Sequence, residues 1–310
     1  MYALLAQEMS CVEAFLDGRA IPAERWMGGT FACAVAQHLL DGHGWSEPAT
    51  VARALRDGRA APVLGDGAAL AEVAATRTMQ VCDPWFGALS ARIRTQLLGE
   101  DEHDLVDLGC GAGIGLVADA GSLTVARRIG IDLHLPTLDP ASVRWLRSCL
   151  PVDHVHRREA LSVACAAAST YPGLVLVEGD VLDRAEALLR TCGSPRTVVQ
   201  ASGLLHALGP VGQRRLADLL ARHMEERAGE GHVGAVIVVD PDGAAILALL
   251  RLWSIKPPPP VLTAGRDVLR RLAVVVSWSG GPPTLQMAAV IERDRPEGAT
   301  IFLGDEDRRR

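Results

Sequence analysis

The chain has 310 residues, 49% of them hydrophobic and 22% charged, with a formal net charge of −6. That length suits two domains or one large α/β domain with a substantial buried core, and the acidic balance leaves no electrostatic footprint for DNA or RNA. No apolar run approaches the roughly 18 residues of a membrane-spanning helix.

In chain order, residues 1 to 98 show helical spacing of apolar side chains. Met1, Leu4 and Leu5 run on to Val12, Phe15 and Leu16, and Phe31, Val35 and Leu39 follow after a break at Gly28-Gly29 and before another at Asp41-Gly-His-Gly44. An all-helical N-terminal region is expected there, serving as a lid or substrate region, with a Rossmann-like domain over 99–310. From Leu105 the pattern changes to short apolar runs alternating with helical segments. Leu105–Leu108, Arg128–Leu133, Leu174–Glu178, Thr197–Gln200 and Val233–Asp240 read as parallel strands of a doubly wound sheet. Asp139 before Pro140 carries helix-capping chemistry, and Gly212–Met224 reads as an amphipathic helix with Leu216, Leu219 and Leu220 inward. Beyond the stiff Pro257–Pro260 linker, Leu272–Trp278 and Leu285–Glu292 flank Ser279-Gly-Gly-Pro-Pro283 and predict an antiparallel pair at the sheet edge. The tail Asp305–Arg310 is expected to fray.

The most informative stretch is His103-Asp-Leu-Val-Asp-Leu-Gly-Cys-Gly-Ala-Gly-Ile-Gly115, where an apolar strand meets glycines at alternate positions. Gly109, Gly111 and Gly113 permit a tight turn and close backbone approach, and the amides opening the following helix are free donors for a nucleotide-like ligand. A dinucleotide fingerprint needs its third glycine where this chain has Ile114, and Asp107 sits just before the turn, so the pattern leans away from NAD. Nineteen residues past Gly113, the run Arg128-Ile-Gly-Ile-Asp132 ends a second strand in a carboxylate placed to accept from both ribose hydroxyls.

Val106-Asp-Leu-Gly-Cys-Gly-Ala-Gly113 resembles motif I of class I S-adenosylmethionine (SAM) dependent methyltransferases, and Ile129-Gly-Ile-Asp132 resembles the acidic end of their second strand. Glu178-Gly-Asp-Val-Leu-Asp183 is similar to their adenine-holding loop. The resemblance implies SAM as cofactor. It implies that Asp132 holds the ribose with Leu133 beside it, that Asp180 accepts from the adenine amino group while backbone near Val181 meets the ring, and that Asp107 orients the turn or the cofactor's amino group. Over roughly residues 75 to 245 the chain also resembles the bacterial DUF2332 family, through Thr76-Arg-Thr-Met-Gln80, Gly130-Ile-Asp-Leu-His-Leu-Pro136, Leu138–Leu146, Val177–Asp180 and Val198-Val-Gln-Ala-Ser202. Cys82 and His134 stand where that family's pattern has asparagine.

In open parallel sheets ligands sit outside the carboxyl ends of the strands, which places Gln200, Ser202, His206 and Asp240 near a reacting centre. Gln200 is a candidate cofactor contact. His206 could accept a proton from an attacking hydroxyl or amine, or be an ordinary helix-turn histidine satisfied by solvent. Ahead of the first strand, Arg77 and Gln80 are candidates for the methionine end of the cofactor, Arg77 by pairing with its carboxylate. Asp83 and Trp85 stand with His206 as candidate catalytic groups, Trp85 through cation–π attraction to a sulfonium. Each of these four could equally pack the N-terminal helices against the sheet.

The seven cysteines are odd in number and form no Cys-x-x-Cys pair, so neither a disulfide framework nor a zinc site is supported. His154 and His156 beside two arginines read as a solvated face, and no metal is assigned. Glu8 and Glu13 with no basic leader argue against a signal peptide, so the expectation is a cytoplasmic protein. The expected partners are a small-molecule substrate and a second copy in a homodimer, with neither nucleic acid nor membrane. The leading functional reading is a methyltransferase acting on a small-molecule oxygen or nitrogen. Two others stay open: a lyase or cyclase releasing methylthioadenosine, as in azetidine-2-carboxylate formation, and a non-enzymatic SAM-binding module.

Overall fold

The computed structural model describes residues 28–77, 84–118, 124–152, 154–240, 243–257, 259–264, 270–292 and 295–303. The helical spacing at Met1–Leu16, the candidates Gln80 and Asp83, and the tail Asp305–Arg310 lie outside the described residues. The chain forms two compact units, one of Met1–Asp83 with Pro136–Ser169, the other of Pro84–Leu135 with Thr170–Arg310. The helix Pro84–Leu98, assigned from sequence to the N-terminal region, therefore goes with the sheet, and Pro136–Ser169 goes with the N-terminal helices.

The first unit is helical. Gly28–Gly42, Pro48–Arg56, Ala61–Leu64 and Gly67–Thr76 precede Pro140–Ser148 and Val155–Thr170, which arrive later in the chain. Asp139 caps Pro140–Ser148 as expected, one carboxylate oxygen accepting from Ala141 N at 2.8 Å and from Ser142 N at 2.9 Å. Phe31, Val35, Leu40 and Val51 build a core with Trp145, Cys149 and Val152, and Trp145 meets Phe31 edge to face at 6.0 Å between ring centroids. The helical spacing read around Phe31 thus faces a segment more than a hundred positions along the chain.

The second unit is built on an eight-stranded sheet. Its strands are β1 (His103–Leu108), β2 (Val125–Asp132), β3 (Leu174–Glu178), β4 (Arg196–Ser202), β5 (Val233–Asp240), β6 (Arg270–Trp278), β7 (Thr284–Glu292) and β8 (Arg295–Leu303). The order is β3-β2-β1-β4-β5-β6-β7-β8, parallel from β3 through β5 and antiparallel from β5 outward. This is the doubly wound sheet with an antiparallel edge expected from sequence, extended by one strand. Strand alternation divides the core: Val106, Val199, Val236 and Val274 serve one face, while Leu105, Val198, Ala235 and Val275 serve the other. Helices cover both faces, which is why the central strands carry apolar residues at consecutive positions. Leu216, Leu219 and Leu220 are buried as expected, in a helix Leu205–Gly229 that breaks at Gly209-Pro210. Among the described residues no helix is long and apolar enough to cross a membrane.

Candidate functional site

Strand order reverses between β1 and β4, and it is at the carboxyl ends of such a strand pair that doubly wound sheets bind ligands. The glycine turn leaves β1 at this point. Gly109, Gly111 and Gly113 have φ of 75°, 53° and 72°, the left-handed region in which a side chain would be strained. Gly109 N and Cys110 N both donate to Ile131 O, at 2.8 and 3.1 Å, which ties the turn to the end of β2. There Asp132 Oδ2 accepts from Gly111 N at 2.8 Å, while its Oδ1 accepts from His134 N at 3.2 Å. Motif and acid, twenty-one residues apart, thus form one hydrogen-bonded edge. Leu133 follows Asp132 directly and is 58% exposed, an apolar surface at the rim.

Behind the turn lies a buried polar chain. Asp107 pairs in register with Gln200 across β1 and β4, and Gln200 Nε2 donates to Asp107 Oδ2 at 2.8 Å. Ser90, from the helix Pro84–Leu98, donates through Oγ to Gln200 Oε1 at 2.5 Å. The Gln200 amide therefore bridges Ser90 and Asp107. Asp107 Oδ1 is buried and has no hydrogen-bond partner among the described residues. Burial, with the Asp132 charge adding, pushes the Asp107 carboxyl up to about 7 against the opposing Gln200 hydrogen bond and Arg94 charge.

At the next strand pair, the turn after β4 carries Gly203, whose N–H donates to Val239 O at 2.7 Å. His206 follows on the first turn of its helix. Asp240, fully buried at the end of β5, accepts from His206 N at 3.3 Å and lies 3.3 Å from His206 Nδ1. This pairing fixes the ring orientation, with the Nδ1 edge against the Asp240 carboxylate.

The remaining candidates are placed differently. Asp180 caps the helix Val181–Leu189, accepting from Leu182 N at 2.8 Å, and the Val181 side chain is buried in the core beneath it. Trp85 is half-buried, stacks edge-on to Phe86 at 5.3 Å and packs on the same sheet face as Leu105. Arg77 ends the helix Gly67–Thr76 in the first unit, where its charge reaches His38. Sequence reasoning put His206 and Asp240 on one edge without pairing them and missed Ser90 altogether. The signal for the pair was an apolar strand ending in aspartate; a serine within a helix gives none. Among the described residues no group of three or more His, Cys, Asp or Glu side chains is arranged to hold a metal.

The family model described as "Uncharacterized protein conserved in bacteria (DUF2332)" matches residues 120–292. No curated protein matches the chain. Similar solved structures include a precorrin-6y C5,15-methyltransferase from Geobacter metallireducens GS-15, 12% identical over 60% of this chain and 72% of that one, with a TM-score of 0.30. An S-adenosylmethionine-dependent methyltransferase from Clostridium acetobutylicum ATCC 824 is 11% identical over 74% of each chain, with a TM-score of 0.28. The sugar N-methyltransferase KedS8 from Streptoalloteichus sp ATCC 53650 is 13% identical over 71% of each chain, with a TM-score of 0.24.

Proposed function

The chain belongs to the DUF2332 family, and we propose that it binds SAM at the carboxyl ends of β1 and β2 and transfers the methyl group to an oxygen or nitrogen of a small-molecule acceptor. The observation that carries this reading is the left-handed glycine turn hydrogen-bonded to Asp132 at the strand-order reversal. The residues present fit the cofactor's chemistry. A carboxylate at the end of β2 suits vicinal ribose hydroxyls, and the exposed Leu133 beside it offers an apolar surface for a purine ring. The buried Asp107 Oδ1, without a partner among the described residues, suits the ammonium of an amino-acid tail. Asp180 keeps its assigned role toward the adenine amino group, although its cap to Leu182 N already engages one oxygen.

SAM, when bound, supplies an electrophilic methyl group on a sulfonium. The protein's part is then to hold the acceptor in line and exclude water. Within this proposal His206, oriented by Asp240, is the base that takes the acceptor's proton at Nε2. Within the same proposal Arg77 and Gln80 contact the amino-acid tail, Asp83 and Trp85 are catalytic candidates beside His206, and the N-terminal helices carry acceptor specificity.

Two measurements test the reading. Calorimetry should give heat with S-adenosylhomocysteine and none with NAD; the reverse result removes the cofactor assignment. Incubation with SAM and a panel of small hydroxy and amino acceptors should release S-adenosylhomocysteine. Release of methylthioadenosine from SAM alone would replace methyl transfer by the lyase or cyclase reaction, and binding without any consumption would leave a SAM-binding module.

A further inference from the structure

The helical unit contains an open cavity of about 560 Å³, lined wholly by residues of that unit. Its volume lies within the ~300–1,000 Å³ range of small-molecule pockets. Leu138, Val143, Cys165 and Ala166 make its apolar wall. Arg144 and Arg147, one turn apart on the helix Pro140–Ser148, bring guanidinium groups to it.

The charges around this cavity do not balance. Asp41 is the acid in its wall, and both of its oxygens are engaged: Oδ1 accepts from Gln37 Nε2 at 2.5 Å and Oδ2 from Arg158 Nη2 at 2.8 Å. Arg158 also donates to Ser46 O at 3.0 Å, so the buried Arg158–Asp41 pair is neutral and closed. Arg144 and Arg147 have neither a counter-ion nor a hydrogen-bond partner among the described residues, and their Nε atoms are buried. The excess positive charge is felt nearby. His38 is lowered to about 4 by burial first and then by Arg144 and Arg77. Two half-buried guanidinium groups side by side at a concave apolar wall, with no ion pair among the described residues, present a fork of donors that suits a carboxylate.

The other polar groups narrow the choice. Ser162 and Ser169 donate their hydroxyl hydrogens to Arg158 O and Ala166 O of their own helix, at 3.1 and 2.9 Å. The charged donors left for an anion are the two arginines, with the Ser46 hydroxyl also in the lining. At the rim, Leu138 has φ of 56°, a left-handed conformation uncommon for a branched apolar residue and frequent where a ligand constrains the backbone. We propose that this cavity binds a small organic carboxylate, its head paired with Arg144 and Arg147 and its apolar body against Leu138, Val143 and Ala166. The inference goes beyond the methyltransferase reading and does not rest on it.

Calorimetry on the full-length protein tests the site with phenylacetate, its neutral isostere phenylacetamide and inorganic phosphate. Phenylacetate should bind, phenylacetamide should bind at least tenfold more weakly, and phosphate should fail to compete. In Arg144→Gln/Arg147→Gln, phenylacetate affinity should fall at least tenfold. Ala166→Leu fills the cavity from an exposed helical position and should weaken phenylacetate binding at an unchanged melting temperature, should the double variant not fold. Absence of phenylacetate binding to the unmodified protein overturns the proposal. So does equal affinity for the amide, competition by phosphate at comparable concentration, or full binding by the folded variants.

Discussion

Asp107 is a buried carboxyl raised well above its ordinary range, and the sign of its effect on stability follows from that. Its carboxyl is raised to about 7, above the ordinary 3.8. A group raised in the folded state favours folding below the unfolded pKa, and that contribution is lost as pH rises through the folded value. The ligand-free protein should thus lose stability between about pH 4 and pH 7 on account of this residue. Asp107→Asn should raise the melting temperature at pH 8 and leave it unchanged near pH 4. An ammonium at Oδ1 requires the ionised form, so affinity for S-adenosylhomocysteine should climb by up to about tenfold per pH unit below 7. Methylthioadenosine, which lacks the ammonium, should show no such slope. Parallel pH profiles for the two ligands would remove Asp107 from the tail site. Asp132 answers a different question. Its loss in Asp132→Ala should weaken nucleoside binding by roughly 1.5–3 kcal/mol, or ten- to a hundredfold, the range for hydrogen bonds to a charged group. An unchanged dissociation constant in calorimetry would separate the turn from the ribose. Asp107, Asp132 and the glycines were legible because their spacing along the chain encodes one local strand–turn–helix unit. Gln200 and Ser90 were not legible as partners, because their meeting depends on β4 lying beside β1 and on one helix crossing the sheet.

The strands themselves were the easiest elements to read. Val233–Asp240 and Leu174–Glu178 hold the expected bounds: the first is buried on both faces and apolar until its terminal aspartate, and the second, a half-exposed edge strand, is a short apolar run that ends at Glu178. β8 was missed. Pro296 and Gly298 punctuate its sequence as a loop would, and proline is tolerated there because an edge strand leaves some of its N–H groups unpaired. The helix after β4 was read as beginning at Gly212; the structure adds a turn before Gly209-Pro210, and this turn carries His206. A proline next to a glycine normally marks a boundary, and here it separates the site turn from the helix body. Within β2, Gly130 has a packing role that spacing does not reveal. A Cβ there would come within 2.6 Å of Cys110 Sγ and 2.8 Å of Leu176 Cδ2, so the glycine turn and β3 both crowd this strand. Gly130→Ala should destabilise the sheet unit by about 1–3 kcal/mol, the usual cost of overpacking, and should displace the turn that Asp132 holds. Chemical denaturation checks the first part and S-adenosylhomocysteine affinity the second. A variant with unaltered stability would mean that Cys110 rotates away freely.

At the scale of the whole molecule, the sequence order of elements conceals how they share cores. A reading along the chain places a boundary near residue 98, where helical spacing gives way to strands, but Pro136–Ser169 leaves the sheet to join the helical unit. Periodicity cannot signal such a return, because a helix buried against distant helices has the same pattern as one buried against its neighbours. The shared core has a testable consequence. Trp145, Cys149 and Val152 are each less than 6% exposed, and they pack with Phe31, Val35 and Leu40 from the first part of the chain. Removing residues 1–83 takes away one half of this core and leaves the other half on the surface, an apolar patch next to the unpaired Arg144 and Arg147. Such a protein should keep the sheet, whose core in β1, β4, β5 and β6 draws on no described residue of the deleted segment. Far-ultraviolet circular dichroism should retain strand signal, while a hydrophobic dye should bind strongly and proteases should cut within 136–169. A truncated protein that binds no dye and resists cleavage there would show that Pro136–Ser169 is stable without the N-terminal helices, and that the core it shares with Phe31 contributes little to holding it.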